Sequence, residues 1–410
     1  MNAYTVGGTI RTTFTIAGEL AKRHDVEIAS VYRMRSSDPA LPVPDGVRLR
    51  MLTDLRAPTL ERLAAGRGPG ARIRTWAVKR PSRLISPQDY RYDNFSVLTD
   101  VNLLRFLNSV RDGVLIGTRP GLNLAIAHLI PDQVVRVGQD HVNLASYRRG
   151  LRAQIKTAYH RLDLLSTLTE GDAAAYRKLL KGRTRIEVFP NAVPDVGGHR
   201  AALDDKVVVA AGRLVRQKGF DRLLPAWAEV AKQHPDWQLK IYGSGGERDN
   251  LQRQIEELGI QDSARLEGFT RTLHEEMSRA SLYVLSSRQE GFPMVLLEAM
   301  GVGLPVVSVD CVSGPRDIIR EGVDGHVVPE EDTPALAGAM SGLMADADRR
   351  KAYGAAALET AARYDAAEIA ARWEERLEEL SAAKAGGHGT LAGRAIRVLR
   401  GRAKAKGLPV

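Results

Sequence analysis

The stretch Leu282–Met300, LYVLSSRQEGFPMVLLEAM, reads as a buried strand, a polar turn and a helix in immediate succession. Leu282 to Leu285 form a short apolar run, Arg288 to Phe292 break it, and Pro293 suits a first helical turn, where its missing N–H is not needed. A strand buried on both faces that runs straight into a helix is the repeating unit of a parallel α/β sheet. The same alternation extends outward over the second half of the chain. KVVVAAGRL, QLKIYGSG, ARLEGF and LPVVSVD read as strands, with LLPAWAEVAKQHP, ERDNLQRQIEELGI and LHEEMSRA as helices between them. Ligands of such sheets gather at the carboxyl ends of the strands.

The first half shows this grammar less clearly, with a helix from about Thr12 to Arg23, strands VEIASVY, GVLIGT and QVVRVG, and a helix near Asn123 to Leu129. A chain of 410 residues exceeds what one core usually supports, so two α/β domains are expected. The first covers 1–193 and the second 200–360, with Pro194 to His199 linking them. A helical pattern at 361–385 is long enough to run back across the boundary, and 386–410 is a basic tail. Residues 60–90, rich in Arg, Gly and Pro, break the periodicity and read as a surface excursion whose role is not legible. A Gly-rich phosphate loop ordinarily follows a buried strand, yet only MNAYTV precedes Gly7 and Gly8. The first strand is therefore missing, and the natural start is expected roughly a dozen residues upstream.

Composition excludes several classes. No apolar run approaches the roughly 18 residues that span a bilayer, no export signal precedes Gly7, and the single cysteine, Cys311, excludes an intrachain disulfide framework. A cytoplasmic protein is expected. The net charge of +10 is unevenly spread: residues 1–200 carry 31 Lys and Arg against 18 Asp and Glu, residues 201–385 carry 22 against 31, and the last 25 carry six against none. Arg394, Arg397, Arg400, Arg402, Lys404 and Lys406 make up that tail charge. A basic first half and tail suit a polyanion, an anionic membrane surface or a phosphate-bearing substrate better than specific nucleic acid, or they are solvated surface with no partner.

Two strand ends carry chemistry. In the quoted stretch, Glu290 lies in the turn and Glu298 in the helix, on a similar face if the helix starts near Glu290. Exposed amides at that helix start form an anion site suited to a diphosphate. A bare pair of acids with seven residues between them would otherwise be ordinary helix-start glutamates. In AAGRLVRQKGFDRLL a strand runs into a Gly turn followed by Arg213, Arg216 and Lys218. Cations pointing into a cleft there would neutralise charge growing on a departing diphosphate. The alternative is a solvated basic loop.

Together these segments resemble the retaining nucleotide-sugar glycosyltransferases of family 4, whose signature joins a Gly-Arg…Lys-Gly loop to two glutamates. The resemblance covers most of the chain and extends to Gly7 and Gly8, FPNAV at Phe189 to Val193, the turn Gly243 to Gly245, and SGPRDIIREGVDGHVVP. It implies the GT-B fold: two Rossmann-like domains facing across a cleft, with the nucleotide held by the second. It further implies that Arg213 and Lys218 hold the diphosphate, that Glu298 takes the ribose, and that Glu290 with Gly291, Phe292 and Pro293 takes the donor sugar. Gly7, Gly8, Gly243 and Gly268 would line the donor with backbone. The family also places a histidine at a strand end in the first domain, and His141 in VVRVGQDHVN is the candidate.

The implied reaction is transfer of a hexosyl or N-acetylhexosaminyl group from a nucleoside-diphosphate sugar, with UDP as the nucleotide, to a cell-envelope glycan, polymer or lipid-linked acceptor, with retention. No cofactor is expected. Asp346 and Asp348 imitate a metal-binding acid pair but sit in a helix-end context, so metal-independent activity is expected. The GSGGE turn lacks the full dinucleotide fingerprint. A nucleotide-sugar epimerase of the same architecture and a non-catalytic polyanion-binding protein remain alternatives.

Overall fold

The computed structural model describes residues 3–4, 7–34, 38–39, 41–66, 68–193 and 195–389. The basic tail from residue 390, with Arg394 to Lys406, and Pro194 of the expected linker lie outside the described residues. Twelve strands occur among the described residues: β1 (Val26–Ser30), β2 (Val47–Met51), β3 (Val114–Gly117), β4 (Val135–Gln139), β5 (Leu164–Thr167), β6 (Ile186–Val188), β7 (Val207–Ala211), β8 (Gln238–Tyr242), β9 (Ala264–Gly268), β10 (Leu282–Leu285), β11 (Val306–Val309) and β12 (Gly325–Val328). Every ladder between them is parallel. The chain divides into two compact units, one of residues 1–167, 172–189 and 369–410, the other of 168–171 and 190–368.

The second unit is built on one six-stranded sheet in the order β12-β11-β10-β7-β8-β9. Its strands are the continuous apolar runs of the sequence because both faces are covered. Val208 and Ala210 of β7 pack with Trp227 of helix Phe220–Gln233 and Met340 of helix Thr333–Ala345. Val209 and Ala211 point the other way, into a core with Leu296 and Met300 of helix Met294–Gly301. Burial of this kind is worth roughly 25 cal/mol per Å² and is the main force assembling the unit. The chain order turns back at β7, whose two neighbours are β8 and β10. Open α/β sheets hold their crevice at such a reversal of strand order, at the strands' carboxyl ends.

The first unit holds a four-stranded sheet, β3-β4-β5-β6, and a separate pair, β1-β2. Among the described residues no strand precedes helix Gly8–Ala21, which begins four residues before the expected Thr12. The stretch 60–90 is more regular than expected: helices Ala57–Ala65 and Pro69–Lys79 occupy it. Pro58 and Pro69 sit in first turns, where proline starts a helix rather than breaking one. The pattern at 361–385 is also split. Helix Ala347–Ala362 ends first, and Asp365 then caps helix Ala366–Gly389 through the Ala367 N–H at 2.8 Å. From Ile369 onward that helix belongs to the first unit, where Trp373 stacks on Phe189 with ring centroids 4.0 Å apart and Lys384 pairs with Asp163 at 2.7 Å. The unit boundary after Phe189 precedes the stretch Pro194 to His199 because Val193 donates to the Tyr364 carbonyl at 2.7 Å, fastening it to the second unit.

Candidate active site

The crevice of the second unit collects the motif residues. After β7 the chain turns through Gly212, passes the exposed Arg213 and forms a single 3-10 turn, Arg216–Lys218, before Gly219 opens the next helix. Gly219 has φ +66°, and a Cβ there would lie 2.0 Å from the Ser286 carbonyl oxygen, so only glycine lets this loop close against the end of β10. The contact aligns the two loops. Ser286 Oγ donates to the Lys218 carbonyl at 3.0 Å, the Arg288 N–H to the Gln217 carbonyl at 2.8 Å, and the Arg288 guanidinium pairs with Asp221. Lys218 Nζ then meets Glu290 Oε1 at 2.7 Å, and Ser287 Oγ donates to the same oxygen at 2.6 Å. The Arg213 guanidinium has no ion-pair partner among the described residues.

Beside this pair the ends of β7, β8 and β9 form a row of glycines. Gly212 donates to the Tyr242 carbonyl at 2.9 Å and Gly243 to the Gly268 carbonyl at 2.7 Å. A Cβ on Gly243 would lie 1.8 Å from the Gly212 oxygen. Gly212, Gly243 and Gly268 thus place bare backbone at the ends of three neighbouring strands. On the other side Ser313 Oγ donates to the carbonyls of Glu290 and Gly291, at 3.0 and 3.3 Å, pinning the turn from behind.

The two glutamates do not share a helix face. The helix begins at Met294, with Pro293 before it at ψ 85°, so Glu290 lies in the turn four residues ahead of the helix. Buried Glu298 is inside the helix and faces His274, whose Nε2 lies 3.4 Å from its carboxylate. The pair therefore offers one carboxylate beside a lysine and one beside a histidine. Phe292 packs its ring near Tyr364, centroids 5.8 Å apart, so this residue presents backbone rather than its side chain to the crevice. Asp346 accepts the Arg349 N–H at 2.9 Å and caps helix Ala347–Ala362.

In the first unit Gly7, Gly8 and His141 come together around a separate cavity of about 470 Å³. Gly8 opens its helix, so the Gly8 and Thr9 N–H groups lack intrahelical partners, while those of Ile10 and Arg11 are held by the Gly7 carbonyl at 3.1 Å. His141 follows β4, and both its ring nitrogens are buried without a hydrogen bond among the described residues. Burial pulls its imidazole down to about 4, leaving it neutral at pH 7. Behind it Asp140 accepts from the Tyr176 and Tyr159 hydroxyls and from the Asn123 amide at 2.9 Å, and burial pushes its carboxyl up to about 7 against those hydrogen bonds. Arg119 and Tyr90 also line the cavity, the Arg119 guanidinium lying 4.8 Å from the Tyr90 ring centroid and paired with buried Asp89. No motif marks Arg119; its signal in the sequence is the strand GVLIGT running into an Arg-Pro helix start. A third cluster, His24, Glu374 and Glu378, brings ligand atoms within 4.8 Å of one another, but Glu374 is already engaged by Arg23 and His24.

Residues 196–360 match the glycosyl transferases group 1 family. Residues 196–360 thus form a domain of that family. An exopolysaccharide phosphotransferase of Streptomyces coelicolor is 37% identical over 377 residues, covering 92% of this chain. The chain spans only 40% of that relative's length. The amylovoran biosynthesis glycosyltransferase AmsD of Erwinia amylovora is 26% identical over 90% of this chain and 96% of its own. Among solved structures, the sucrose-phosphate synthase of Thermosynechococcus elongatus superposes with a TM-score of 0.71 at 18% identity, covering 92% of this chain and 94% of that one. The TarM G117R mutant of S. aureus does so with 0.68 at 16%, covering 92% and 98%. The chain has the GT-B fold, α/β with parallel sheets in two domains.

Proposed function

We propose that this chain is a retaining glycosyltransferase that moves a hexosyl or N-acetylhexosaminyl group from a nucleoside-diphosphate sugar, with UDP as the nucleotide, to a cell-envelope glycan, polymer or lipid-linked acceptor. The observation that carries the reading is the Lys218–Glu290 pair at 2.7 Å, held where the loops after β7 and β10 meet, with exposed Arg213 on the same loop as Lys218. Such a site suits a diphosphate: Lys218 and Arg213 take its charge, Glu298 the ribose, and Glu290 with the backbone of Gly291 the sugar hydroxyls. In the reaction the donor's C1–O bond breaks, a C1–O bond to the acceptor forms, and the acceptor proton leaves with the diphosphate. Attack on the leaving group's own face gives retention without a covalent enzyme intermediate. The chemistry asks the chain to stabilise a leaving group, which two cations do without a metal.

The streptomycete relative's description as a phosphotransferase supports a second reading, transfer of a sugar phosphate. The released nucleotide separates the two. Incubation with a panel of sugar nucleotides and an acceptor extract should release the nucleoside diphosphate; nucleoside monophosphate would support phosphosugar transfer, and product without acceptor would support an epimerase. Absence of both turnover and ligand-induced stabilisation with every nucleotide would support the polyanion-binding alternative. No helix among the described residues is long and apolar enough to cross a membrane. The excess of Lys and Arg in residues 1–200 supports work at the cytoplasmic membrane surface, where lipid-linked acceptors lie.

A further inference from the structure

Helix Pro69–Lys79 packs against helices Ala57–Ala65 and Val97–Ser109 of the first unit and buries almost nothing of its own. Ala77 is its one buried residue, and Thr75 Oγ1 donates to the Leu63 carbonyl at 3.1 Å, so the side with Thr75 and Ala77 faces inward. At 3.6 residues per turn, positions 72, 73, 76, 79 and 80 fall together on the opposite side. They hold Arg72, Ile73, Trp76, Lys79 and Arg80, all exposed. Ile73 is 65% exposed and Trp76 52%, and the Arg80 guanidinium lies 5.9 Å from the Trp76 ring centroid. Residues 57–83 carry seven Lys and Arg against one acid, Glu61. Arg72, Lys79 and Arg80 have no ion-pair partner among the described residues. An aliphatic and an aromatic side chain side by side in water, rimmed by unpaired cations, mark a helix that lies in a membrane interface: the apolar side chains enter the acyl boundary while the cations reach lipid phosphates.

We propose that helix Pro69–Lys79 docks the protein on an anionic lipid bilayer, lying in the plane of the headgroups with Ile73 and Trp76 inserted and Arg72, Lys79 and Arg80 on lipid phosphates. Two features select that occupant. The charge is complementary, and each cation held at an anionic surface is worth about a fivefold gain in partitioning. A soluble polyanion would engage the cations alone and leave Ile73 and Trp76 in water, whereas a bilayer takes both, and tryptophan settles at headgroup level. Two apolar anchors on a short helix give reversible attachment that salt weakens. The proposal deepens the reading of work at a membrane surface and rests on that part of it alone. The donor crevice belongs to the other unit and takes no part.

Co-sedimentation of the full chain with vesicles of phosphatidylcholine alone, and of phosphatidylcholine mixed equally with phosphatidylglycerol, tests the proposal when read together with tryptophan emission. The other three tryptophans, Trp227, Trp237 and Trp373, are at most 3% exposed, so a change in emission reports on Trp76. The chain should bind the anionic vesicles at least about tenfold more tightly than the neutral ones, with emission shifted to the blue. Trp76→Ala and, separately, Lys79→Glu should each weaken that binding by about tenfold. Both positions are exposed, so both variants should keep the parent's UDP-induced stabilisation without vesicles, a readout of the donor crevice that does not depend on lipid. Equal binding to the two vesicle types overturns the proposal. So does binding to anionic vesicles with unshifted emission and undiminished by either substitution, and so does retention on heparin without binding to anionic vesicles, which is the mark of a soluble polyanion.

Discussion

Lys218 and Glu290 hold each other in place, with Ser287 as a second donor to the same carboxylate oxygen, and this sets what substitutions do. Replacing Lys218 removes a charge from the diphosphate's expected position but leaves Glu290 one partner, so folding should survive while turnover falls. Gly243 is different in kind. Its φ of +152° and the 1.8 Å approach of the Gly212 oxygen to any Cβ make Gly243→Ala a folding defect, costing about 2–4 kcal/mol in urea denaturation. Asp140 gives a pH signature. Its carboxyl is raised to about 7 in the folded chain against about 3.9 unfolded, so the folded state binds more protons between those values. Its stabilisation is complete below pH 4 and is lost as pH rises to 7. The unfolding free energy should therefore be higher at pH 5 than at pH 8 by an amount on the order of a few kcal/mol, read by urea denaturation, and Asp140→Asn should flatten that difference.

At the scale of elements, helix Ala366–Gly389 matters most to the first unit. Trp373 is 3% exposed and stacked on Phe189, so Trp373→Ala should cost about 3–5 kcal/mol of first-unit stability, read by chemical denaturation. Strands β7 to β11 and the helices between them were legible because each is a local pattern: an apolar run, a turn, then an amphipathic stretch. The turn with Glu290 and the loop with Lys218 were legible for the same reason, since each contains its own strand end and glycine. Their pairing across 72 residues was not, nor was the helix start at Met294, which puts Glu290 in the turn. The first unit was harder to read because its site is assembled from distant partners. Asp89 meets Arg119 across 30 residues and Asp140 meets Tyr176 across 36, and no single segment shows either pair. The helices at Ala57–Ala65 and Pro69–Lys79 escaped notice because the first buries no residue and the second only Ala77, leaving little apolar periodicity to read.

For the whole molecule, the account divides the work between units: a donor crevice in the acidic second half and a basic first half that carries the His141 cavity. Ligand linkage tests the first part of that division. UDP at about 100 times its Kd should stabilise the folded chain by about 2.7 kcal/mol and raise the transition that includes the second unit by roughly 5–10 °C, measured by calorimetry. Arg213→Ala should shrink that shift and Trp373→Ala should leave it in place, since Trp373 belongs to the other unit. The most direct test of the central claim is the acceptor-dependent kcat of Lys218→Ala, with product nucleotide identified and UDP affinity measured alongside. The account predicts a nucleoside diphosphate product and a kcat about a hundredfold lower. A variant that turns over within a few-fold of the parent while remaining folded would contradict it.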